Sequence, residues 1–219
     1  MMRQNKLGGK NQSFAFIVDG ECEYLYIQML QQNEKGIKIA LKPKILQKKK
    51  LSEQYKLVTE LVNSKNYDKI FWIIDFDVII EKTREIQRGK KTELQEFKEY
   101  YMKINKNDKL KEKIIIIINN PCLEYWFLLH FETTTKYYEN CDKVVRQLKK
   151  HNQLSDYAKT KDFYTKYRKD IYLRLKPFLN NAIDNANRLN PFDFENVQSG
   201  LSQMQLFFET DEIKTMLNN

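Results

Sequence analysis

The chain has 219 residues, which fits one large domain or two small ones, and its 42% hydrophobic content supplies a sizeable core. The apolar runs 114–118 and 126–129 are too short to cross a bilayer, which excludes a helical membrane-spanning protein. A formal charge of +9 suits an anionic partner without naming one, and a solvated basic surface with no partner is the alternative.

The opening MMRQNKLGGK is followed by no long apolar stretch, so a signal peptide is not expected. Cys22, Cys122 and Cys141 are odd in number and widely spaced, resembling neither a disulfide framework nor a zinc site. The expectation is a cytoplasmic protein with reduced thiols and no membrane partner.

Residues 1–12 read as a polar lead-in. Residues 13–18, SFAFIV, read as a strand that Asp19-Gly20 breaks, and 21–32 as a helix. Residues 37–44 alternate apolar and polar side chains, a period-two strand, and 51–63 return to helical spacing. Residues 69–76, rich in β-branched and aromatic side chains, read as a buried strand. The polar stretch 77–91 carries no clear pattern, and 92–104 is helical. KIIIII at 113–118 is apolar on both faces, as in a strand covered by helices, and Asn119-Asn120-Pro121 ends it. A helix at 122–131 follows, with Pro121 at its first turn.

Beyond residue 135 the pattern is helical and charged. Helices are expected at 136–150, 162–179 and 182–188, a loop at 190–200, and short closing helices at 201–208 and 211–217. Alternating strands and helices predict an α/β fold with a mostly parallel sheet. One continuous domain over 13–219 is expected, with its core at 13–131 and a helical subregion at 135–219.

Three segments could carry chemistry, each just after a predicted strand, where open α/β sheets bind ligands. Asp19-Gly20-Glu21-Cys22-Glu23 crowds three carboxylates that a cation would relieve; the alternative is helix capping, with Asp19 as the cap. Asp75-Phe76-Asp77 ends a buried strand, and two close aspartates suit a hard cation such as Mg²⁺; the alternative is one capping aspartate and one solvated. In Asn119-Asn120-Pro121-Cys122-Leu123-Glu124, Glu124 is the sole charge in a long uncharged stretch, or else an ordinary first-turn glutamate. His130 lies six residues further on, facing another side of the helix, where a satisfied structural histidine is the alternative.

These three segments, and above all NNPCLEYWFLLHF at 119–131, resemble the RloB-like proteins, which carry a divergent Toprim domain. The resemblance runs through the motifs from Phe14 to Phe131 and continues loosely through Tyr157-Ala158-Lys159-Thr160. It implies a Toprim-like sheet, a Mg²⁺ or Mn²⁺ site on Asp75 and Asp77, and a place in bacterial phage defence. It sets Asp19 where Toprim proteins usually have a metal-binding or acid-base glutamate, and Glu23 at a second acidic position of the nuclease branch. Glu124, Trp126 and His130 match the RloB-type signature. Asp19 departs from the pattern by one methylene, a gap that Glu21 or Glu23 could bridge.

The expected activity is metal-dependent phosphodiester hydrolysis, with Asp19, Glu23, Glu124 and His130 as the catalytic set and Asp19, Asp75 and Asp77 as metal ligands. The expected partner is DNA or RNA, together with a defence-system protein or a second copy of the chain. Lys42, Lys44, Lys48, Lys49 and Lys50 form one basic patch; Lys159, Lys161, Lys166, Arg168 and Lys169 form another. Tyr157, Tyr164 and Tyr167 are interleaved with the second, either stacking on bases or packing inward. A non-catalytic nucleic-acid-binding or assembly subunit is the rival function. A nucleotide-directed phosphoryl-transfer enzyme is a third, but no P-loop motif is present for an autonomous NTPase.

Overall fold

Ser13–Ile17 forms β1, and Gly20 caps the helix after it, α1 (Glu21–Asn33). The chain continues through β2 (Lys38–Lys42), α2 (Leu51–Ser64), β3 (Lys69–Asp75) and α3 (Phe76–Glu85). Next come α4 (Glu93–Lys106), α5 (Asp108–Lys113), β4 (Ile114–Asn120) and α6 (Leu123–Leu129). The remainder holds α7 (Cys141–Leu148), α8 (Lys161–Tyr164), α9 (Ile171–Leu175), α10 (Leu179–Asn187), β5 (Leu201–Ser202), α11 (Gln205–Phe208) and α12 (Asp211–Leu217). This computed structural model describes residues 13–18, 20–42, 49–87 and 89–217; Asp19, Lys44 and Lys48, singled out above, lie outside them.

The strands form one sheet in the order β2-β1-β3-β4-β5. The first four are parallel, and the two-residue β5 runs antiparallel along β4. Alternation sends Phe14, Phe16, Phe71, Ile73 and Ile117 to one face, against Leu30, Trp126 and Phe207. Ala15, Ile17, Ile70, Trp72, Ile74, Ile116 and Ile118 go to the other, against Val58, Phe76 and Phe97. Both faces are thereby covered, which is why the strands read as continuous apolar runs rather than alternating ones. The Toprim-like α/β sheet with its helical C-terminal region is thus the architecture of this chain.

Several boundaries differ from the sequence reading. The unassigned stretch 77–91 contains most of α3, whose buried residues are only Phe76 and Ile79, too few to give a strong period. β4 starts one residue later than expected and carries on through Asn119 and Asn120. The expected helix at 162–179 is broken between α8 and α9, where Arg168 has a left-handed φ of 56°. Leu201–Ser202, expected within a helix, pairs with Asn119 and Asn120 as the edge strand.

The C-terminal region is joined to the sheet by aromatic packing. Phe207 lies among Phe14, Phe16 and Phe71, with ring centroids 5.0 Å from Phe16 and 5.1 Å from Phe71, both edge-on. Phe207→Ala is expected to cost about 3–5 kcal/mol, the range for truncating a buried phenylalanine. Denaturant titration followed by circular dichroism and by tryptophan fluorescence should give a single transition at a lower midpoint. An unchanged midpoint, or two separate transitions, would show that the C-terminal helices fold apart from the sheet.

Candidate active site

β1 leads into α1 on one face of the sheet, whereas β3 leads into α3 on the other. Where adjacent parallel strands send their connections to opposite faces, a crevice opens beyond their carboxyl ends. Here it is a cleft of about 630 Å³, lined by Glu23, Lys49, Lys50, Asp75, Glu124 and Lys159, among others.

Each acidic group is set by a local feature. Glu23 stands in the first turn of α1 and folds back over Gly20, where a Cβ would collide with its Oε2. Asp75 is the last residue of β3, in register with Asn119 of β4. Asn119 Nδ2 donates to Asp75 Oδ1 at 3.4 Å, and Ser202 Oγ donates to Asn119 Oδ1 at 2.7 Å. Asp77, in the first turn of α3, accepts backbone hydrogen bonds from Val78 and Cys141. Glu124, in the first turn of α6, is 1% exposed; its Oε1 accepts from Tyr157 Oη at 2.7 Å and from Lys159 Nζ at 3.1 Å.

The electrostatics follow from burial and crowding. Burial raises the Asp75 carboxyl well above the usual range, and Glu23, Glu124 and Asp77 push it further. Burial also raises Glu23, with Glu124 adding to the effect. Glu23 Oε2 has no hydrogen-bond partner, and the Glu23 and Asp75 side chains lie against each other, a contact that is favourable only with a proton between them. Asp77 is pushed up to about 6, again chiefly by burial. For Lys159, burial works against the charge, but Glu124 outweighs it and holds the ammonium above its ordinary range. Cys22 is driven to about 12 by burial and then by Glu124 and Glu23, so it stands there as a neutral thiol.

Buried carboxylates that repel one another, one with an orphan oxygen, form a hard-oxygen donor set of the kind Mg²⁺ and Mn²⁺ take. Glu23, Asp75, Asp77 and Glu124 match such an ion in donor chemistry, but they are not the group whose ligand atoms converge most closely among the described residues. Among the described residues that group is Asp77, Cys122 and Cys141, with three potential ligand atoms within 4.8 Å of one another. In this structure Cys122 and Cys141 are joined as a disulfide, which corrects the expectation of three reduced thiols. Sulfurs bonded to each other are not thiolate ligands, and thiolates would favour a softer metal than magnesium. With no proton to donate, Cys141 Sγ simply lies 2.8 Å from Glu124 Oε2.

The structure brings together Glu23, Asp75, Asp77 and Glu124 of the residues singled out from the sequence. Lys49 and Lys50 line the cleft. Lys159, expected to face nucleic acid, turns inward to Glu124. Lys161 and Arg168 are exposed, the Arg168 guanidinium lying 5.2 Å from the Tyr167 ring centroid. Tyr157 and Tyr164 are fully buried and hydrogen-bonded to each other at 2.6 Å, so they pack inward instead of offering faces to bases; Tyr167 alone of the three is exposed. Asn119 and Cys22 stood inside candidate segments without a role: Asn119 was read as ending a strand, and nothing local marks Cys22.

His130 is not brought to this cluster. It caps α6 with Nδ1 2.9 Å from Trp126 O, and lines a separate depression with Asn181, Asp184 and Arg188. Burial lowers its pKa from 6.5 to about 4. An unfolded chain thus protonates His130 first: stability is unaffected above pH 6.5 and erodes as the pH falls to about 4, by about 3 kcal/mol in all. The raised carboxylates act in the opposite sense, stabilising the fold as they protonate, so the signature lies in a difference. The His130→Gln variant should lose less stability than the parent between pH 7 and 4, measured by urea denaturation. Parallel curves would show that His130 titrates normally in the fold.

No helix among the described residues is long and apolar enough to cross a membrane. No curated protein and no solved structure matches the chain. A family model described as RloB-like protein matches residues 15–210, a span that holds the four clustered carboxylates and Lys159. Since the match runs from within β1 to just past α11, taking in the sheet and the helices that close it, this chain belongs to the RloB-like family.

Proposed function

We propose that this protein is a divalent-metal-dependent nuclease that hydrolyses phosphodiester bonds of DNA or RNA in the cytoplasm, in the service of phage defence. The observation that carries the reading is the convergence of Glu23, Asp75 and Glu124 in one cleft with Asp77 beside them and lysines around them. The defence role rests on the family alone.

Glu23, Asp75, Asp77 and Glu124 would hold Mg²⁺ or Mn²⁺, which when bound supplies a Lewis acid for the phosphoryl oxygens. The rest of the chemistry belongs to the side chains. Glu23 Oε2 is free of donors and raised in pKa, so it is suited to take a proton from the attacking water. Lys159 Nζ, held at Glu124, offsets the negative charge that accumulates around the phosphate. Lys49 and Lys50 give the substrate a cationic approach past the acids. The buried Tyr157–Tyr164 pair keeps Glu124 in place and apolar surface behind it.

Asp75→Asn and Asp77→Asn should each lower Mg²⁺-dependent cleavage by about 100-fold or more, the scale of losing one charge-stabilising group. Oligonucleotide binding in chelator should be retained. Asp75→Asn should also raise the melting temperature of the metal-free protein, since it removes a charge that burial and three neighbouring carboxylates disfavour. Mg²⁺ should raise the melting temperature of the parent and leave that of Asp75→Asn unchanged. Full Mg²⁺-dependent cleavage by both variants would end the assignment. A parent that binds nucleic acid in a salt-sensitive manner but cleaves none would point to a non-catalytic binding subunit.

A further inference from the structure

A second concavity, about 660 Å³, lies against α3 and α7 and has a different character from the acidic cleft. Arg84, Lys136, Lys143, Arg146 and Lys150 all line it, and Glu139 is the one acid among its lining residues. Lys143 is paired with Glu139, and the Lys136 ammonium lies 5.2 Å from the Tyr138 ring centroid. Arg84, Arg146 and Lys150 have no carboxylate within ion-pair distance among the described residues. Five cations gathered in one hollow around the single acid Glu139 repel one another, and a polyanion relieves that repulsion while releasing its own counterions.

Its position supplies the second argument. α3 carries Asp77 in its first turn and Arg84 in its last, a separation of about 10 Å at the helical rise per residue. α7 begins at Cys141, whose backbone N–H bonds Asp77, and presents Lys143 and Arg146 further along. The two helices that line the basic hollow are thus fastened to an acid of the proposed catalytic cluster, and residues 136–139, Lys150 and Gln198 complete its lining. An extended phosphate backbone lying in the hollow reaches the cleft within a few phosphates. A membrane surface is the poorer occupant, because interfacial binding needs apolar groups to insert. The large exposed hydrophobic residues, Met102, Tyr167 and Leu173, all lie outside the hollow.

Building on the nuclease reading above, we propose that the hollow formed by Arg84, Arg146 and Lys150 with Lys136 and Lys143 is the docking track for the nucleic-acid backbone. It, and not the exposed basic patch around Lys161 and Arg168, positions the strand for the carboxylate cleft. Recognition is of phosphates and carries no sequence preference.

The test is fluorescence anisotropy with labelled single-stranded and duplex oligonucleotides, in chelator, over a salt series. Three proteins are compared: the parent, Arg84→Gln/Arg146→Gln/Lys150→Gln, and Lys106→Gln/Lys109→Gln/Lys111→Gln. The last loses the same charge from exposed positions at the start of β4, the far end of the sheet. The hollow variant should bind more weakly, and its log–log salt slope should fall by about 2–3 units, close to one per lost phosphate contact. The control variant should keep the parent's slope. Equal losses in both variants would mean net charge alone drives binding, and an unchanged hollow variant would place the track elsewhere; either overturns this inference and leaves the nuclease reading standing. A parent that binds no oligonucleotide but binds vesicles of anionic lipid would overturn both.

Discussion

Glu23, Asp75, Asp77 and Glu124 meet where the parallel strands end, and their mutual repulsion in a half-dry cleft is the condition the surrounding structure has to satisfy. Each carboxylate ionised in water is cheap; the same groups buried side by side are not. The chain meets this with groups drawn from several elements. The first turns of α1, α3 and α6 point their N–H ends toward Glu23, Asp77 and Glu124, where negative charge is favoured. Lys159 supplies a full positive charge, and Asn119 and Tyr157 supply neutral donors.

That compensation is incomplete, and the incompleteness is informative. Glu23 and Asp75 lie against each other, and Glu23 Oε2 has no hydrogen-bond partner. A core selected for stability alone would replace one of them with an amide. Keeping two carboxyl groups in a place that disfavours their charge is how functional sites differ from the packing around them. The sheet makes the arrangement tolerable because its two apolar faces, each filled by large aromatic and branched side chains, hold the strand ends rigidly.

The sequence disclosed the sheet more readily than the site. Strands covered on both faces leave unbroken apolar runs such as IIIII, and these need no tertiary knowledge to find. α3 was hidden because it buries only Phe76 and Ile79, so its polar face dominated the pattern. Glu23, Asp75, Asp77 and Glu124 could be flagged, since each follows a strand, although only the strand order makes them neighbours. The role of Lys159 was not legible: it depends on Glu124, which is distant in sequence, and a lysine among lysines looks like surface. The same applies to Tyr157 and Tyr164, whose burial is decided by helices that fold over them. Cys122 and Cys141 meet because α7 turns back against α6, a fold-level event that their spacing of 19 did not advertise.

The short edge strand β5 has a bearing on when the cleft becomes whole. Ser202 holds the Asn119 amide, which in turn donates to Asp75, so a residue synthesised late braces one synthesised much earlier. A growing chain that has already presented its clustered acids therefore still lacks the rung that orients Asp75. Proteolytic loss of the segment after α10 would return the molecule to that state, with its acids present and their alignment gone. Order of synthesis thereby becomes order of assembly: the clustered acids come first, and the rung that orients Asp75 follows them.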